Sequence, residues 1–251
     1  MKLKKPKDTD TYNAYAKVYD GYKGDRHETI ARLRELIENY NPRAKSLLDL
    51  ACGTGSIAKG LVDTFELVGL DNAPAMLDLA RKKLPDTPLI HANMVNFKID
   101  QKFDVVYCLH NSVNHLLTLH EWRAMFENVA ACLNAGGIFI FDIQTVEKME
   151  LHARSGIGTV QVKQDYVMTQ VIKDTSKPNL YHWDVKIFSK QRRNNYLLHH
   201  EAIKVSAFPL DHVGQTLMSS FTILDFFILD KAEKAEDIGR AYYVCRVSSG
   251  N

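Results

Sequence analysis

The chain has 251 residues, of which 45% are hydrophobic and 25% are charged, a composition typical of a globular domain and unlike that of a disordered chain. Its 32 basic and 30 acidic residues leave a net charge of +2, which is too balanced for general binding to nucleic-acid phosphates. Because no apolar run approaches the roughly 20 residues of a membrane-spanning helix, we expect a protein that does not enter a membrane.

The first residues of the chain, 1–7, are basic and precede no apolar run, so we expect a solvated tail rather than a signal peptide. The four cysteines form no C-x-x-C pair and have no histidines at metal-ligand spacing; they are Cys52, Cys108, Cys132 and Cys245. We therefore predict free thiols in a reducing cytoplasm and no metal site.

Short apolar runs alternate with amphipathic ones from about residue 28 to residue 143. They predict strands at 46–50, 66–70, 88–91, 103–108 and 138–142, and helices at 55–63, 73–83 and 119–133. The Asn-Ala-Gly-Gly sequence at 134–137 predicts a stop between the last of these helices and the next strand. This alternation is typical of a parallel sheet with right-handed crossovers.

The pattern changes after residue 144. Three runs rich in Val, Ile, Tyr and Thr, at 159–172, 180–189 and 196–207, predict antiparallel strands separated by turns. A helix near 209–219, a strand at 221–229, a charged loop at 231–237 and a strand at 241–247 then complete the α/β pattern. The predicted fold is a doubly wound, mostly parallel, Rossmann-like sheet of seven strands with an antiparallel β insertion after the fifth. We expect one domain at 1–145 and 208–251, with an inserted subdomain at 146–207.

The strongest local signal is a glycine turn between a buried strand and the segment after it. The residues at 47–58 read Leu-Leu-Asp-Leu-Ala-Cys-Gly-Thr-Gly-Ser-Ile-Ala, and glycines there permit positive φ and close approach of a ligand to the backbone. The spacing Gly53-x-Gly55-x-x-Ala58 also fits the dinucleotide fingerprint, so the turn alone does not separate a nicotinamide cofactor from S-adenosylmethionine.

Of two acids near this turn, Asp49 distinguishes between these cofactors. Asp49 is a poor neighbour for a pyrophosphate at this turn but suits the sulfonium and ammonium of S-adenosylmethionine. Asp71 closes the second strand, where a carboxylate can accept hydrogen bonds from ribose hydroxyls in either cofactor class. The structural alternative for Asp71 is the start of the next helix, where Asn72 can cap, Pro74 suits the first turn and an acid is favourable near the dipole.

The sequence resembles the class I S-adenosylmethionine-dependent methyltransferases. Leu-Asp-Leu-Ala-Cys-Gly-Thr-Gly at 48–55 resembles the first motif of that family almost letter for letter. Further motifs at family spacing lie at 69–77, 93–97, 103–107 and 133–137. The segment at 12–20 resembles the lid of members that act on small molecules, a subgroup that includes aminosugar N-methyltransferases and carries an antiparallel insertion after the fifth strand.

The resemblance implies S-adenosyl-L-methionine as cofactor and a set of residues that bind it. Asp49, Ala51, Gly53 and Gly55 would line the methionine part, Asp71 the ribose, Asn72 and Met76 the adenosine face, and Asn93 and Met94 the adenine edge. The family more often has Asp at the position of Asn93, whose amide oxygen can face the exocyclic amine equally well. Tyr12, or alternatively Tyr15, would close over the cofactor, although an aromatic stripe is also typical of core packing.

Ligands of doubly wound sheets lie beyond the carboxyl ends of the strands, which selects two loops. The polar loop 109–115 and residues 142–144 are expected to face the transferred methyl group, and Leu109 is counted with the cofactor site. Methyl transfer needs positioning and, for some acceptors, removal of a proton. His110 and His115 are the candidate bases, with a helix cap or a backbone hydrogen bond as the structural alternative for each.

The leading hypothesis is a methyltransferase with a small-molecule acceptor. A non-catalytic S-adenosylmethionine-binding module stays open, whereas the balanced charge argues against methylation of RNA or protein. Asp49 and the lack of a catalytic pair in the right context argue against a nicotinamide dehydrogenase. The insertion can cover the acceptor, or bury its apolar face against a second copy in a homodimer. The methylated atom, whether N, O or C, cannot be read from the sequence.

Overall fold

The structure is a computed structural model that describes residues 12–231 and 237–247. The basic tail predicted at 1–7 and most of the charged loop predicted at 231–237 lie outside the described residues. Each of the described helices is too short or too polar to span a bilayer. The helices are α1 (Ala16–Lys23), α2 (His27–Tyr40), α3 (Pro74–Lys83), α4 (Leu119–Cys132), α5 (Val146–Arg154) and α6 (Leu210–Leu217).

The eleven strands form two sheets. They are β1 (Ser46–Leu50), β2 (Glu66–Asp71), β3 (Leu89–His91), β4 (Phe103–Cys108), β5 (Leu133–Gln144), β6 (Gly158–Val162), β7 (Asp165–Lys173), β8 (Leu180–Lys190), β9 (Tyr196–Ser206), β10 (Phe221–Ile228) and β11 (Arg240–Val247). The larger sheet has seven strands in the order β10-β11-β5-β4-β1-β2-β3, and β6 to β9 form a separate four-stranded sheet. The prediction of a seven-stranded α/β sheet with an antiparallel insertion after the fifth strand is confirmed.

The order of the large sheet positions the site. Strands β1 to β5 run parallel, and β11 pairs antiparallel with both β5 and β10. The strand order reverses beside β1, because β2 follows on one side and β4 on the other, and ligands of such sheets bind at this reversal beyond the carboxyl ends.

Two apolar clusters sandwich this sheet. One contains residues of α4 and α6 around Trp122, Phe126 and Phe139, all fully buried. The other contains α2 residues such as Leu33 on the opposite face. Helices on both faces exclude water from the central strands, whose polar side chains can therefore lie only at the strand ends.

The inserted sheet packs against the N-terminal helix instead of against the large sheet. Its inward side chains, among them Val185, Ile187 and Ile203, form a third cluster with Tyr15 and Val18 of α1 and with Met149 of α5. The insertion therefore contacts the segment that the sequence identified as a lid, and it also reaches the chain after β4 through Ser206, which bonds to Asn114 and Leu116.

The helix predicted at 55–63 is wrong. The segment is a series of turns with a single 3-10 turn at Ala58–Gly60. The φ of Gly55 is +73°, and the Gly60 carbonyl accepts a hydrogen bond from Arg34 Nη2 at 2.6 Å. The N–H groups of Gly60 and Leu61 donate to carbonyls three residues back, those of Ile57 and Ala58, and these tight turns interrupt the hydrogen-bond ladder of an α-helix.

Two further boundaries differ from the prediction. The run 159–172 is two strands, β6 and β7, because the chain reverses at Lys163, whose φ is +56°. The predicted stop at 134–137 lies inside β5, where the pairing with β4 shifts between Phe103–Leu133 and Val105–Ile138. The glycines there form an irregularity within the strand rather than a break before it.

Candidate active site

The carboxyl ends of β1 and β2 bring two acids beside the glycine turn. Asp49 lies on β1 and is 3% exposed, and Asp71 is the last residue of β2. The chain between them takes positive φ at three positions, Ala51 (+65°), Gly53 (+56°) and Gly55 (+73°). A Cβ at Gly53 would meet nothing within 4 Å, so open space lies beside this turn. At Gly55 a Cβ would meet Leu84 at 2.7 Å, which indicates that this glycine serves packing against α3.

The Asp71 carboxylate closes the glycine turn. Its Oδ2 accepts a hydrogen bond from the Gly53 N–H at 2.7 Å, and its Oδ1 accepts one from the Ala73 N–H at 2.8 Å. Burial raises its pKa, and these backbone hydrogen bonds lower it in part. The alternative role predicted for Asp71, at the start of the next helix, is confirmed in that Asp71 accepts a hydrogen bond there. Asn72 does not cap α3, because Ala73 holds the cap position and Pro74 begins the first turn.

Asp49 is the carboxylate without compensation. Its Oδ2 is buried and has no hydrogen-bond partner among the described residues. Burial is the main cause that raises its pKa to about 8, the charge of Asp71 adds to this, and the nearby Tyr107 hydroxyl opposes it. A carboxylate held out of water beside open space is suited to a positively charged ligand group, because such a group restores the charge balance that burial removes. The residues present therefore fit the sulfonium and ammonium of S-adenosylmethionine.

The other predicted cofactor residues lie around α3 and β3, with mixed accessibility. Asn72 and Asn93 are exposed, and Asn93 Oδ1 accepts a hydrogen bond from the Val95 N–H at 2.9 Å, which leaves its second lone pair for a ligand. Met76 is 3% exposed and Met94 is half-buried. Leu109 is 5% exposed and packs in the second apolar cluster, so only its main chain is available to a ligand.

The loop 109–115 is held by a buried ion pair. Asp142 of β5 is fully buried and accepts hydrogen bonds from the N–H groups of His110 at 2.9 Å and Asn111 at 2.6 Å. Both of these residues have positive φ, at +61° and +63°, a backbone conformation that non-glycine residues rarely adopt. Arg240 of β11 pairs with the same carboxylate at 3.0 Å and with Asp237 at 2.5 Å. Sequence reasoning missed Arg240, since nothing in its local sequence links it to residues 98 or 130 positions away.

The structure separates the two histidines that were predicted as bases. The His110 ring lies between Arg240 Nη1, 3.3 Å from its Nδ1, and Thr29 Oγ1, 3.4 Å from its Nε2. Arginine can only donate, so His110 Nδ1 accepts there and the ring is held as part of the loop. His115 instead has Nε2 2.9 Å from the Tyr12 hydroxyl, and desolvation lowers its pKa to about 4.

Tyr12 lies between Asp71 of the cofactor edge and His115. Burial raises the pKa of its hydroxyl well above the usual value, and the charges of Tyr19, Asp71 and Glu201 raise it further. The hydroxyl therefore stays protonated and can donate to His115 or to a ligand. The Tyr12 ring also lies edge-on to the His115 ring, with 5.7 Å between centroids.

A cavity of about 270 Å³ opens between this loop and the inserted sheet. No acidic side chain occurs among the described residues that line it, which combine aromatic, amide, hydroxyl and basic groups. From the strand ends come His110, Asn111, Asn114, His115 and Gln144, and from the N-terminal segment and the insertion come Tyr12, Tyr22, Lys23, His152, Thr169 and Trp183. The Asn111 Oδ1 atom is buried and has no partner among the described residues, so it is available to a ligand.

Asp20 of α1 was not predicted as a site residue, yet it joins the lid to the glycine turn. Its Oδ1 accepts hydrogen bonds from the hydroxyls of Thr54 at 2.6 Å and Ser56 at 2.9 Å, and its Oδ2 pairs with Lys83 Nζ at 2.6 Å. These hydrogen bonds, together with Lys83, lower the pKa of the Asp20 carboxyl against the opposing effect of burial.

The described part of the chain holds no group of three or more histidine, cysteine or carboxylate side chains arranged for a metal ion.

Comparison with known proteins gives the same picture. A family model described as a methyltransferase domain matches residues 47–137. The chain is 36% identical over 129 residues to a dTDP-3-amino-3,6-dideoxy-alpha-D-glucopyranose N,N-dimethyltransferase from Streptomyces fradiae, covering 51% of each chain. It is 32% identical over 136 residues to a dTDP-3-amino-3,4,6-trideoxy-alpha-D-glucopyranose N,N-dimethyltransferase from Streptomyces venezuelae, covering 54% of this chain and 57% of that one. These matches thus span little more than half the length of either relative.

Solved structures match over nearly the whole chain. An S-adenosylmethionine-dependent methyltransferase from Clostridium acetobutylicum superposes with a TM-score of 0.82 at 22% identity, covering 95% of this chain and 99% of that one. An amino pentose methyltransferase from Micromonospora echinaspora, solved with S-adenosylmethionine bound, gives a TM-score of 0.75 at 21% identity, covering 98% of this chain and all of that one. These likenesses establish the fold.

Replacement of Asp49 by Asn tests whether its burial serves ligand binding. Folded Asp49 keeps its proton up to about pH 8, whereas in the unfolded chain it ionises near its ordinary pKa of about 4, so stability falls as pH rises through this window. We expect Asp49→Asn to be more stable than the wild type at pH 8, by an amount that grows by up to about 1.4 kcal/mol per pH unit between about pH 4 and about pH 8 and is constant above that range. The variant should also lose thermal stabilisation by S-adenosylmethionine, which carries both positive groups.

The control for this experiment is Asp63→Asn, which changes an exposed acid in the same segment of the chain. Denaturant unfolding at several pH values and thermal shifts with ligand give the two readouts. A stability difference that stays flat with pH, or unchanged ligand stabilisation in Asp49→Asn, would contradict the assignment.

Proposed function

We propose that the chain is a class I S-adenosylmethionine-dependent methyltransferase, which transfers the methyl group of this cofactor to a small-molecule acceptor by in-line displacement. The single observation that carries the proposal is the Asp49 oxygen beside the glycine turn that is buried without a hydrogen-bond partner among the described residues. A cationic cofactor would find a suited environment there.

The proposed roles on the cofactor side follow from the contacts. When bound, S-adenosylmethionine supplies a methyl group on a positively charged sulfur, which leaves as a neutral thioether. Asp49 would face the positive groups, and the open main chain at Gly53 would let the ligand approach closely. The lone pairs of Asp71 that the backbone does not use would accept the ribose hydroxyls. Asn93 and Met94 would face the adenine.

The acceptor would occupy the cavity beneath the inserted sheet, with residues 146–207 acting as its cover. Asn114 is not available to it, because its amide already bonds to the Gln144 main chain and the Ser206 carbonyl. Asn111 and Trp183 remain for orientation, through a free amide oxygen and an aromatic face. Since aromatic, amide and hydroxyl groups suit a polar ring, and since the relatives are named as aminosugar dimethyltransferases, we propose the amino group of a sugar-like molecule as acceptor.

The amine would react in its neutral form. No carboxylate lines the described cavity wall to stabilise an ammonium ion, and only the neutral amine has the lone pair that forms the new carbon–nitrogen bond. Because the Tyr12 hydroxyl lies on His115 Nε2, the proton that the nitrogen then loses would pass to the Tyr12 oxygen while the hydroxyl gives its own proton to Nε2. A pKa of about 4 keeps His115 neutral at pH 7, so the Nε2 lone pair can receive that proton, and the same low pKa favours its release to water.

A cytoplasmic location is part of the proposal. It rests on the four cysteines, all of which are free and buried, as expected of a reducing compartment. The net charge of +2 supports small acceptors over nucleic acid.

The decisive test combines ligand binding with methyl transfer. We expect S-adenosylhomocysteine, but not NAD, to raise the melting temperature of the wild type, and Asp71→Asn to weaken this effect at least ~10-fold in Kd, because it loses the charge that holds the turn and the ribose. Label from S-adenosylmethionine should appear on amino sugars, free or phosphate-linked, in preference to hydroxy acids. Binding without transfer to any acceptor of a broad panel would instead favour a non-catalytic binding module, and transfer to bulk RNA or protein would refute a small acceptor.

His115 and Tyr12 allow a second test once an acceptor is found. We expect His115→Gln to lower kcat ~100-fold and Tyr12→Phe ~10-fold, with little change in folding stability, since proton transfer and its orientation contribute at this level. In the wild type, kcat/KM should rise with pH until the free amine is deprotonated, with no acidic limb from His115 above about pH 5, because its pKa is about 4. His120→Gln, an exposed histidine on α4, serves as control. Equal kcat values for His115→Gln and the control would exclude His115 as the base.

We also propose that the outer face of the inserted sheet contacts a second copy of the chain. Tyr166 and Tyr196 lie 5.9 Å apart there, 37% and 41% exposed, on a sheet whose other face is buried. Sedimentation should give twice the chain mass, and the double variant Tyr166→Lys with Tyr196→Lys should give the single mass. A monomeric wild type at tens of micromolar would refute the contact.

A further inference from the structure

Glu201 of the inserted strand β9 is a buried acid that the site described so far does not use. It is 5% exposed, although ionised side chains are rarely buried without compensation. Its carboxylate accepts three main-chain hydrogen bonds from the start of the N-terminal segment. Oε2 accepts from the Tyr12 N–H at 2.9 Å, and Oε1 accepts from the N–H groups of Ala14 at 2.8 Å and Tyr15 at 3.2 Å. These charge-assisted hydrogen bonds replace the water that Glu201 has lost.

The backbone that Glu201 holds is strained at Tyr12. The φ of Tyr12 is +74°, a conformation that is unfavourable for a bulky side chain and persists only where the surroundings impose it. The same residue places its hydroxyl 2.9 Å from His115 Nε2 and close enough to Asp71 for that charge to raise the Tyr12 pKa. The main-chain position of Tyr12 thus decides whether its side chain reaches both the cofactor edge and the acceptor cavity.

Building on the proposed function, we propose that Glu201 is a positioning residue for methyl transfer. It fixes Tyr12 between the cofactor and the acceptor and thereby connects the inserted sheet to the reacting centre. It touches neither ligand itself. The chain supplies this residue from 189 positions away, and nothing in the N-terminal segment replaces it among the contacts of the Tyr12 N–H in the described structure.

A second acid, Asp20, holds the other end of the N-terminal segment. At the far end of the same segment, Asp20 holds the glycine turn through Thr54 and Ser56 and holds α3 through Lys83. Residues 12–23 are therefore fixed by an acid at each end, Glu201 on the acceptor side and Asp20 on the cofactor side. Loss of the Glu201 contacts should therefore affect the acceptor, and loss of the Asp20 contacts should affect the cofactor.

The test uses Glu201→Gln in the full-length protein, because glutamine has nearly the same shape. It keeps one oxygen to accept from the segment but presents an NH₂ group where the second oxygen stood, opposite a backbone N–H. We expect kcat to fall about as far as in Tyr12→Phe, ~10-fold, with the KM for S-adenosylmethionine changed less than ~3-fold. In the double variant, kcat should be no lower than in Tyr12→Phe alone, because both changes remove the same interaction.

The matched control is Lys204→Gln, an exposed position three residues along the same strand. Asp20→Asn is the variant for the opposite end, and we expect it to raise the KM for the cofactor more than it lowers kcat. Additive effects of Glu201→Gln and Tyr12→Phe, or a loss of stability in Glu201→Gln without a change in kcat, would overturn the proposal.

Hydrogen exchange separates failure of this proposal from failure of the proposed function. In Glu201→Gln, the amides of residues 12–16 should exchange at least ~10-fold faster than in the wild type, while those of β8 stay protected. Unchanged exchange there would refute the role of Glu201 even if methyl transfer is demonstrated. If the wild type transfers a methyl group to no acceptor, the proposed function fails, and the exchange result still decides whether Glu201 holds the segment.

Discussion

The site depends on acids that are held out of water at the carboxyl ends of parallel strands, and on how each of them is compensated. Asp142 has Arg240 and two backbone N–H groups, so its charge is satisfied within the protein. Asp71 has two backbone N–H groups and keeps further lone pairs. Asp49 Oδ2 has no partner among the described residues. A cationic ligand gains the most electrostatic stabilisation beside the acid with the fewest partners, which is Asp49. The distribution of hydrogen-bond partners therefore indicates that the cofactor binds at the glycine turn.

Asp142 and Asp71 also shape the surfaces on which the ligands would lie. Without Asp71 the glycine turn would lose the acceptor for the Gly53 N–H, and without Asp142 the two left-handed residues of the 109–115 loop would lose theirs. An unpaired buried backbone group costs free energy comparable to a lost hydrogen bond, and Arg240 would be left as a buried charge. Shape and electrostatics at this edge therefore depend on the same carboxylates.

Local pattern predicted most of the fold because local forces determine it. The alternation of apolar runs located β1, β2, β3 and β4 to within a residue or two, and the helix start at residue 119 coincides with a capping box in which Thr118 and Glu121 exchange hydrogen bonds. The local pattern failed where the outcome depends on contacts that residue spacing does not record, as in the three-residue turns that replace the helix predicted at 55–63.

The same distinction explains the candidate site. Asp49, Asp71 and the glycine turn lie within one short stretch whose spacing can be read directly. His110 and His115 look alike in sequence and both line the cavity, and only contacts with Thr29, Arg240 and Tyr12 distinguish a ring held by an arginine from a ring beside the Tyr12 hydroxyl. Asp20 and Glu201 were missed because their partners lie 34 and up to 189 positions away, and no motif records such distances.

The distribution of acids divides the site into two electrostatic environments. Asp49 and Asp71 place two acids at the glycine turn, where a cationic ligand would favour their ionised form, whereas the described walls of the neighbouring cavity contain no acid and include Lys23 and Arg240. An amine entering that cavity has no carboxylate to hold a proton on it, so the fold favours the nucleophilic form while the cofactor edge favours a cation. Tyr12 lies at the boundary with a protonated hydroxyl, and it carries no charge that would disturb either side.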